Sequence, residues 1–225
     1  MKHFYTGIVG TFLVAWTVQV LVPYTSMGKL EPMVDADTGE IYPVNISGLA
    51  AQGARVYAAN GCVSCHTQQA RSPYMGADIA RKWASRRSVA RDYMYENENF
   101  LGTLRMGPDL SGVGAWDVAK TGEADLSTTA VRQKTAAWHY KHLYNPRLVN
   151  PKSFMPGFPW LFKEIPIKGE MSGHALALAG EFSPQKGNQI VPSHEAEALV
   201  AYLLSLNKNH SLPEAKVAVA EVAAK

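Results

Sequence analysis

Cysteine is nearly missing from this chain, with two residues in 225. That is too few for the disulfide framework that holds small secreted domains together. Charge of one sign is missing too: 22 Lys and Arg stand against 19 Asp and Glu, a net charge of +3. Such a balance lacks the concentrated positive field of a nucleic-acid-binding protein, so nucleic acid is excluded as a partner. No internal repeat is visible, which removes solenoids and propellers. What remains is 47% hydrophobic, enough for one ordinary domain with accessory segments.

Long apolar runs are also scarce, and the one present lies at the start. Phe4 to Val22 is an uncharged stretch of nineteen residues, which as a helix spans about 28 Å, close to the hydrocarbon thickness of a bilayer. Lys2 precedes it, and Glu31, Asp35, Asp37 and Glu40 outweigh Lys29 after it. The positive-inside bias then predicts a cytoplasmic N-terminus and a body outside the membrane. A cleaved signal peptide is the rival reading, but the run is long for one and no A-x-A site follows. The expected organisation is an anchor over 1–23, a linker over 24–47, a folded domain over 48–207 and a tail over 208–225.

The two cysteines sit three apart with a histidine following, as CVSCH from Cys62 to His66. C-x-x-C-H is the attachment signature of c-type haem: two thiols on one turn reach the two vinyl groups while the adjacent imidazole reaches the iron. A redox dithiol would want a thioredoxin-like βαβ setting, and zinc would want further Cys or His at ligand spacing. Neither context is present in the sequence. Candidates for the sixth ligand are Met75, Met94, Met106, Met155, Met171 and the later histidines. Met155 is favoured because it lies in a Pro-flanked loop between two helices, where a thioether can be aimed at iron. Met106, directly before GPDL, is expected on the histidine side. His139 and His142 are one helical turn apart, but two ligands alone make a weak metal site, and surface or interface roles are expected.

Around these residues the chain reads as mainly α with long loops. Pro23 to Ser47 is a linker or small hairpin, with a turn at Asp35 to Gly39. Gly48 to Asn60 is a short helix with Leu49, Val56 and Tyr57 on one face, ending at Asn60-Gly61. Arg81, Lys82, Arg86, Arg87 and Arg91 read as a solvated face, or more sharply as a site for haem propionates, a partner subunit or anionic lipid. Thr128 to Tyr144 reads as a helix stopped by Asn145-Pro146. Ser153 to Phe162 is a Pro-interrupted aromatic loop, and Lys163 to Ile190 a surface connection. Ser193 caps a last helix with Glu195 and Glu197 in its first turn and Ala196, Leu199, Val200, Leu203 and Leu204 facing inward, ending near Asn207. The tail after Pro213 is expected to be mobile or a peripheral helix.

CVSCH, GPDL at Gly107 to Leu110, a methionine before a proline and a C-terminal amphipathic helix together resemble class I cytochrome c domains. That resemblance implies that the Pro108 carbonyl orients His66, and that Gly53 and Tyr57 lie where the first soluble helix crosses the last, with Tyr202 as aromatic partner. The longer strings CVSCHTQQARSP, RMGPDLSGVG, WHYKHLYNPR and SFMPGFPWLF, with the single anchor, resemble the mono-haem subunit of cbb3-type cytochrome c oxidases. By that resemblance one covalent haem c is held at Cys62, Cys65 and His66 with Met155 as axial ligand. Arg71 contacts the haem propionates, and Trp138, His139 and Arg147 support the haem loop. The implied partners are a haem-copper catalytic subunit, a multi-haem cytochrome c subunit and a cytochrome c donor, at the bacterial inner membrane with the haem domain in the periplasm. One anchor without an internal histidine cannot build an oxygen-reducing site, so the chain is expected to pass electrons. A free-standing anchored carrier and a small subunit of a nitric oxide reductase are the alternatives. The resemblance is thinnest over Met75 to Leu101, Thr121 to Thr129 and beyond Phe162.

Overall fold

A computed structural model of the chain describes residues 2–34, 39–116 and 136–217. The apolar run forms helix α1, Lys2–Met27, with a mean hydropathy of 1.6 over its most apolar window and none of it buried against the rest of the protein. It outlasts the predicted span because Pro23 does not end it. Proline supplies no N–H and crowds the carbonyl four residues back. The backbone widens into a π turn over Thr17–Leu21 just ahead of it, a common way to absorb such a mismatch. Thr25 and Ser26 then donate to the carbonyls of Leu21 at 3.0 Å and Val22 at 2.7 Å, and the helix continues.

The hairpin alternative for the linker is the one observed: β1, Met33–Val34, pairs antiparallel with β2, Ile41–Tyr42. Most of its predicted turn, 35–38, lies outside the described residues. Helix α2, Gly48–Ala59, ends at Asn60 with Gly61 at φ 67°, the left-handed position glycine favours. Its buried face is Gly53 and Tyr57, whereas Leu49, expected there, is exposed. Helix α3, Ala136–Tyr144, is the C-terminal part of the helix predicted from Thr128; residues 128–135 lie outside the described ones. Helix α4, His194–Ser205, is capped by Ser193, whose hydroxyl accepts the Ala196 N–H at 3.3 Å. Ala196, Leu199, Val200 and Leu203 are buried as predicted, while Leu204 faces out.

Helices α2 and α4 cross at Gly53. A Cβ there would fall 1.9 Å from the Ala198 carbonyl oxygen, so no other residue permits the approach. One turn on, the Tyr57 and Tyr202 rings meet edge to face at 5.6 Å. The crossing closes the core over Leu161, Leu206 and Val200, each at most 2% exposed.

Three readings are corrected. Lys163 to Ile190 is not a plain surface connection: β3, Phe162–Pro166, pairs antiparallel with β4, Asn188–Pro192. Of β3 only Phe162 is buried and the next four residues are exposed, so β3 carries no apolar alternation for the sequence to show. The basic stretch is a solvated face only in part: Arg81, Lys82 and Arg87 are exposed, but Arg86 and Arg91 are buried. Arg86 is 1% exposed and grips Asp92 with two nitrogens, at 2.9 and 2.6 Å. The Tyr42 hydroxyl donates to the same carboxylate at 2.7 Å and the Val89 N–H at 2.8 Å. Arg91 pairs with Glu214 at 2.6 Å, and Lys208 pairs with Glu96 at 2.5 Å above the Tyr93 ring. Finally, of the tail after Pro213 only 214–217 are described, and they form no helix; 218–225 lie outside the described residues. Leu212 is buried beside Tyr42 and Val89 and bridges back to Ala215.

Candidate haem site

Gly61 turns the chain out of α2 into a single 3-10 turn over Cys62–Ser64. The backbone N–H groups of Cys65 and His66 both return to the Cys62 carbonyl, at 3.1 and 3.0 Å. This one turn places Cys62, Cys65 and His66 on the lining of a single cavity of about 300 Å³. Leu110, Val113, Leu143, Leu199 and Leu203 supply apolar walls. Both thiols are free and half-buried. Burial pushes the Cys62 thiol up to about 11, the reverse of the lowered values that activate a redox C-x-x-C.

The His66 ring Nδ1 lies 2.8 Å from the Pro108 carbonyl. A carbonyl only accepts, so Nδ1 carries the proton and Nε2 keeps its lone pair. Burial lowers the His66 pKa, against the pull of the Pro108 carbonyl and Asp109, which favours the neutral imidazole that can ligate a metal. Gly107 makes the close approach possible, since a Cβ there would sit 2.3 Å from His66 Cε1. The segments are also tied by their backbones, Gly107 N–H to the Cys65 carbonyl at 3.0 Å and Leu110 N–H to the Thr67 carbonyl at 2.7 Å.

Met155 lines the same cavity. Its N–H donates to the Ser153 hydroxyl at 3.3 Å, and Phe158 N–H donates to the Leu143 carbonyl at 2.8 Å. Gly157 lies against the end of α3, where a Cβ would be 2.7 Å from the Tyr144 oxygen. The loop is therefore tied to the end of α3. Met106 also borders the cavity, but it is 57% exposed, with its sulfur 3.9 Å from that of Cys65 and Gly107 next in chain. It lies on the histidine side, as expected. Met75, Met94 and Met171 are not among the lining residues.

The family model of the cytochrome c oxidase mono-haem subunit, FixO, matches residues 8–178, which hold most of the apolar helix, CVSCH, GPDL and the Met155 loop. The chain belongs to the FixO family. A comparison with curated proteins finds no match. A FixO chain is a haem-bearing electron-transport subunit of an oxidoreductase complex, associated with the catalytic oxidase subunit and anchored in the membrane by an apolar helix such as α1.

The residues fit a haem: two free thiols, an imidazole with one nitrogen already engaged and a thioether border one apolar-walled cavity, and Gly107 keeps a side chain from filling it. Of the other predicted site residues in this FixO chain, Trp138 lines the cavity and stacks on His142 at 4.7 Å. His139 and His142 line it too, and His139 is 3% exposed, which corrects the expectation of a surface role for that residue. Arg71 and Arg147 are exposed and not among the lining residues; the Arg71 N–H holds Asp78 at 2.7 Å, and Arg147 N–H is held by the Asn145 side chain at 3.1 Å. Sequence reasoning passed over Arg105 and Asp109. Arg105 pairs with Asp78, and Asp109 is fully buried. The D of GPDL was in view, but an acid in a loop reads as solvated until its donors are seen.

Proposed function

We propose that this chain holds one c-type haem through thioether bonds from Cys62 and Cys65, with His66 and Met155 as axial ligands. In that state it relays electrons from a cytochrome c donor toward a haem-copper subunit that reduces oxygen, with a multi-haem cytochrome c subunit as a further partner. Cys62 and Cys65 would hold the haem group by adding their S–H across its two vinyl C=C bonds, which needs no oxidant. A haem held there supplies one-electron exchange. Pro108 holds His66 in one tautomer, and the Ser153 to Phe158 loop presents Met155. With His66 and Met155 both holding the group, the leucines of α3 and α4 that line the cavity would keep water and substrate from it. The charges flanking α1 support a reading with the N-terminus in the cytoplasm and the 48–207 body in the periplasm.

The observation that carries this reading is that Cys62, Cys65, His66 and Met155 line one cavity while His66 Nδ1 is committed to Pro108. FixO membership favours an oxidase subunit over a nitric oxide reductase subunit or a free carrier. Replacing Met155 by Ala should open the sixth position, lower the midpoint potential and let carbon monoxide bind the reduced haem. Met106→Ala should do none of these. An unchanged spectrum in Met155→Ala overturns the ligand assignment, and loss of all haem from the denatured wild-type chain overturns covalent attachment.

A further inference from the structure

Asp109 is fully buried one residue beyond Pro108, and every acceptor site it has is used. Oδ2 accepts from the Thr67 hydroxyl at 2.5 Å and the Gln69 N–H at 2.8 Å. Oδ1 accepts from the Ser111 N–H at 3.0 Å and the Ser111 hydroxyl at 2.5 Å. Four donors converge on two oxygens, a set that suits a carboxylate, which only accepts. Thr67 and Gln69 lie one and three residues past His66, and Ser111 follows the proline loop, so this one group ties the segment bearing the imidazole to the loop bearing its acceptor. Arg105 lies beside it, one guanidinium nitrogen 3.6 Å from Asp109 Oδ2 and 2.6 Å from the Gln69 carbonyl, while the other meets Asp78. One cation thus faces two buried carboxylates, and a negative charge is left over on the histidine side of the cavity.

We propose that Asp109 and Arg105 are positioning residues for His66 and set the haem potential as a charge pair: the Asp109 carboxylate favours the oxidised, more positive iron and the Arg105 guanidinium partly offsets it. The proposal rests on His66 as the axial ligand. Close charges in a low-dielectric interior act strongly on one another, whereas a loop held only by hydrogen bonds would respond to loosening and not to the sign of the charge removed.

The test is a redox titration of the full haem-loaded chain, with absorbance after denaturation as a check on attachment. Arg105→Gln should shift the midpoint potential downward, and Arg105→Lys, which keeps the charge, should restore most of the wild-type value. Asp109→Asn should shift it upward, although an amide facing two backbone N–H groups also weakens the fold, so the arginine pair decides if that variant does not accumulate. Equal downward shifts in the Gln and Lys variants, no shift in Arg105→Gln, or shifts of the same sign in Arg105→Gln and Asp109→Asn would overturn the proposal while leaving His66 ligation intact. A wild-type chain without covalent haem would overturn both.

Discussion

Where α2 crosses α4 the contact is built from Gly53 on the Ala198 carbonyl and Tyr57 on Tyr202, with hardly a charge in reach. Around residues 86–96 the chain is held instead by buried ions, Arg86 on Asp92 and Lys208 on Glu96. The apolar crossing carries the cavity wall, since Leu199 and Leu203 of α4 line it. The ionic junction joins the hairpin that follows the anchor, the 86–96 segment and the tail, through Tyr42, Asp92, Arg91 and Glu214. The difference teaches where each kind of contact is useful. Apolar packing tolerates a change of volume by yielding a little, which suits a wall that must enclose a flat ligand. A buried ion pair fixes one partner and one geometry, which suits a junction between distant parts of the chain, but removing half of it leaves an uncompensated charge.

Breaking the ionic junction should have the largest effect on stability. Asp92→Ala strands the Arg86 guanidinium, and about 3–5 kcal/mol should be lost in denaturant unfolding, with little change in haem absorbance. Pairing it with Arg86→Met should recover much of the loss, because the stranded charge is gone. A single variant as stable as the wild type would show that the junction does not hold the body together.

At the crossing, Gly53→Ala should cost about 1–3 kcal/mol by overpacking. Here the haem band should move as well, because α4 must shift and takes Leu199 and Leu203 with it. If the spectrum changed in Asp92→Ala and not in Gly53→Ala, the division of labour drawn above would be reversed.

The smallest effect concerns pH. The Arg91 hydrogen bond holds the Glu214 pKa below its usual value. A carboxylate whose pKa is lowered on folding adds stability above its unfolded value of roughly 4.5 and loses it as pH falls through the folded value. Glu214→Gln should therefore reduce stability slightly at neutral pH and flatten its decline in acid. The Glu214 side chain is a third exposed, so the change should be well under about 1 kcal/mol. Unfolding curves at neutral pH and at about pH 3.5, below the unfolded value, would show it.

Much of the apolar region was legible in sequence. Ser193 with Glu195 and Glu197 marks the start of α4, Asn60-Gly61 the end of α2, and Gly53 and Tyr57 came with the cytochrome c resemblance. The ionic region was not legible, because Arg86 and Arg91 look like surface arginines until Tyr42 and Glu214, far off in the chain, are brought beside them. Hairpin β3–β4 escaped for a related reason: an edge strand with exposed side chains has no pattern of its own.

By itself the sequence determined the features that need only neighbours along the chain: an uncharged helix long enough to cross a membrane, a five-residue turn offering two thiols and an imidazole, and two capped helices. Their geometry follows from spacing within one or two turns. Tertiary structure decided the rest: that Met155 and His66 line one cavity, that Arg86 is buried, and that Asp109 ties the His66 segment to its proline loop. Those outcomes depend on which donors and acceptors meet after collapse, and a buried polar group finds its partner by position in space, not in sequence.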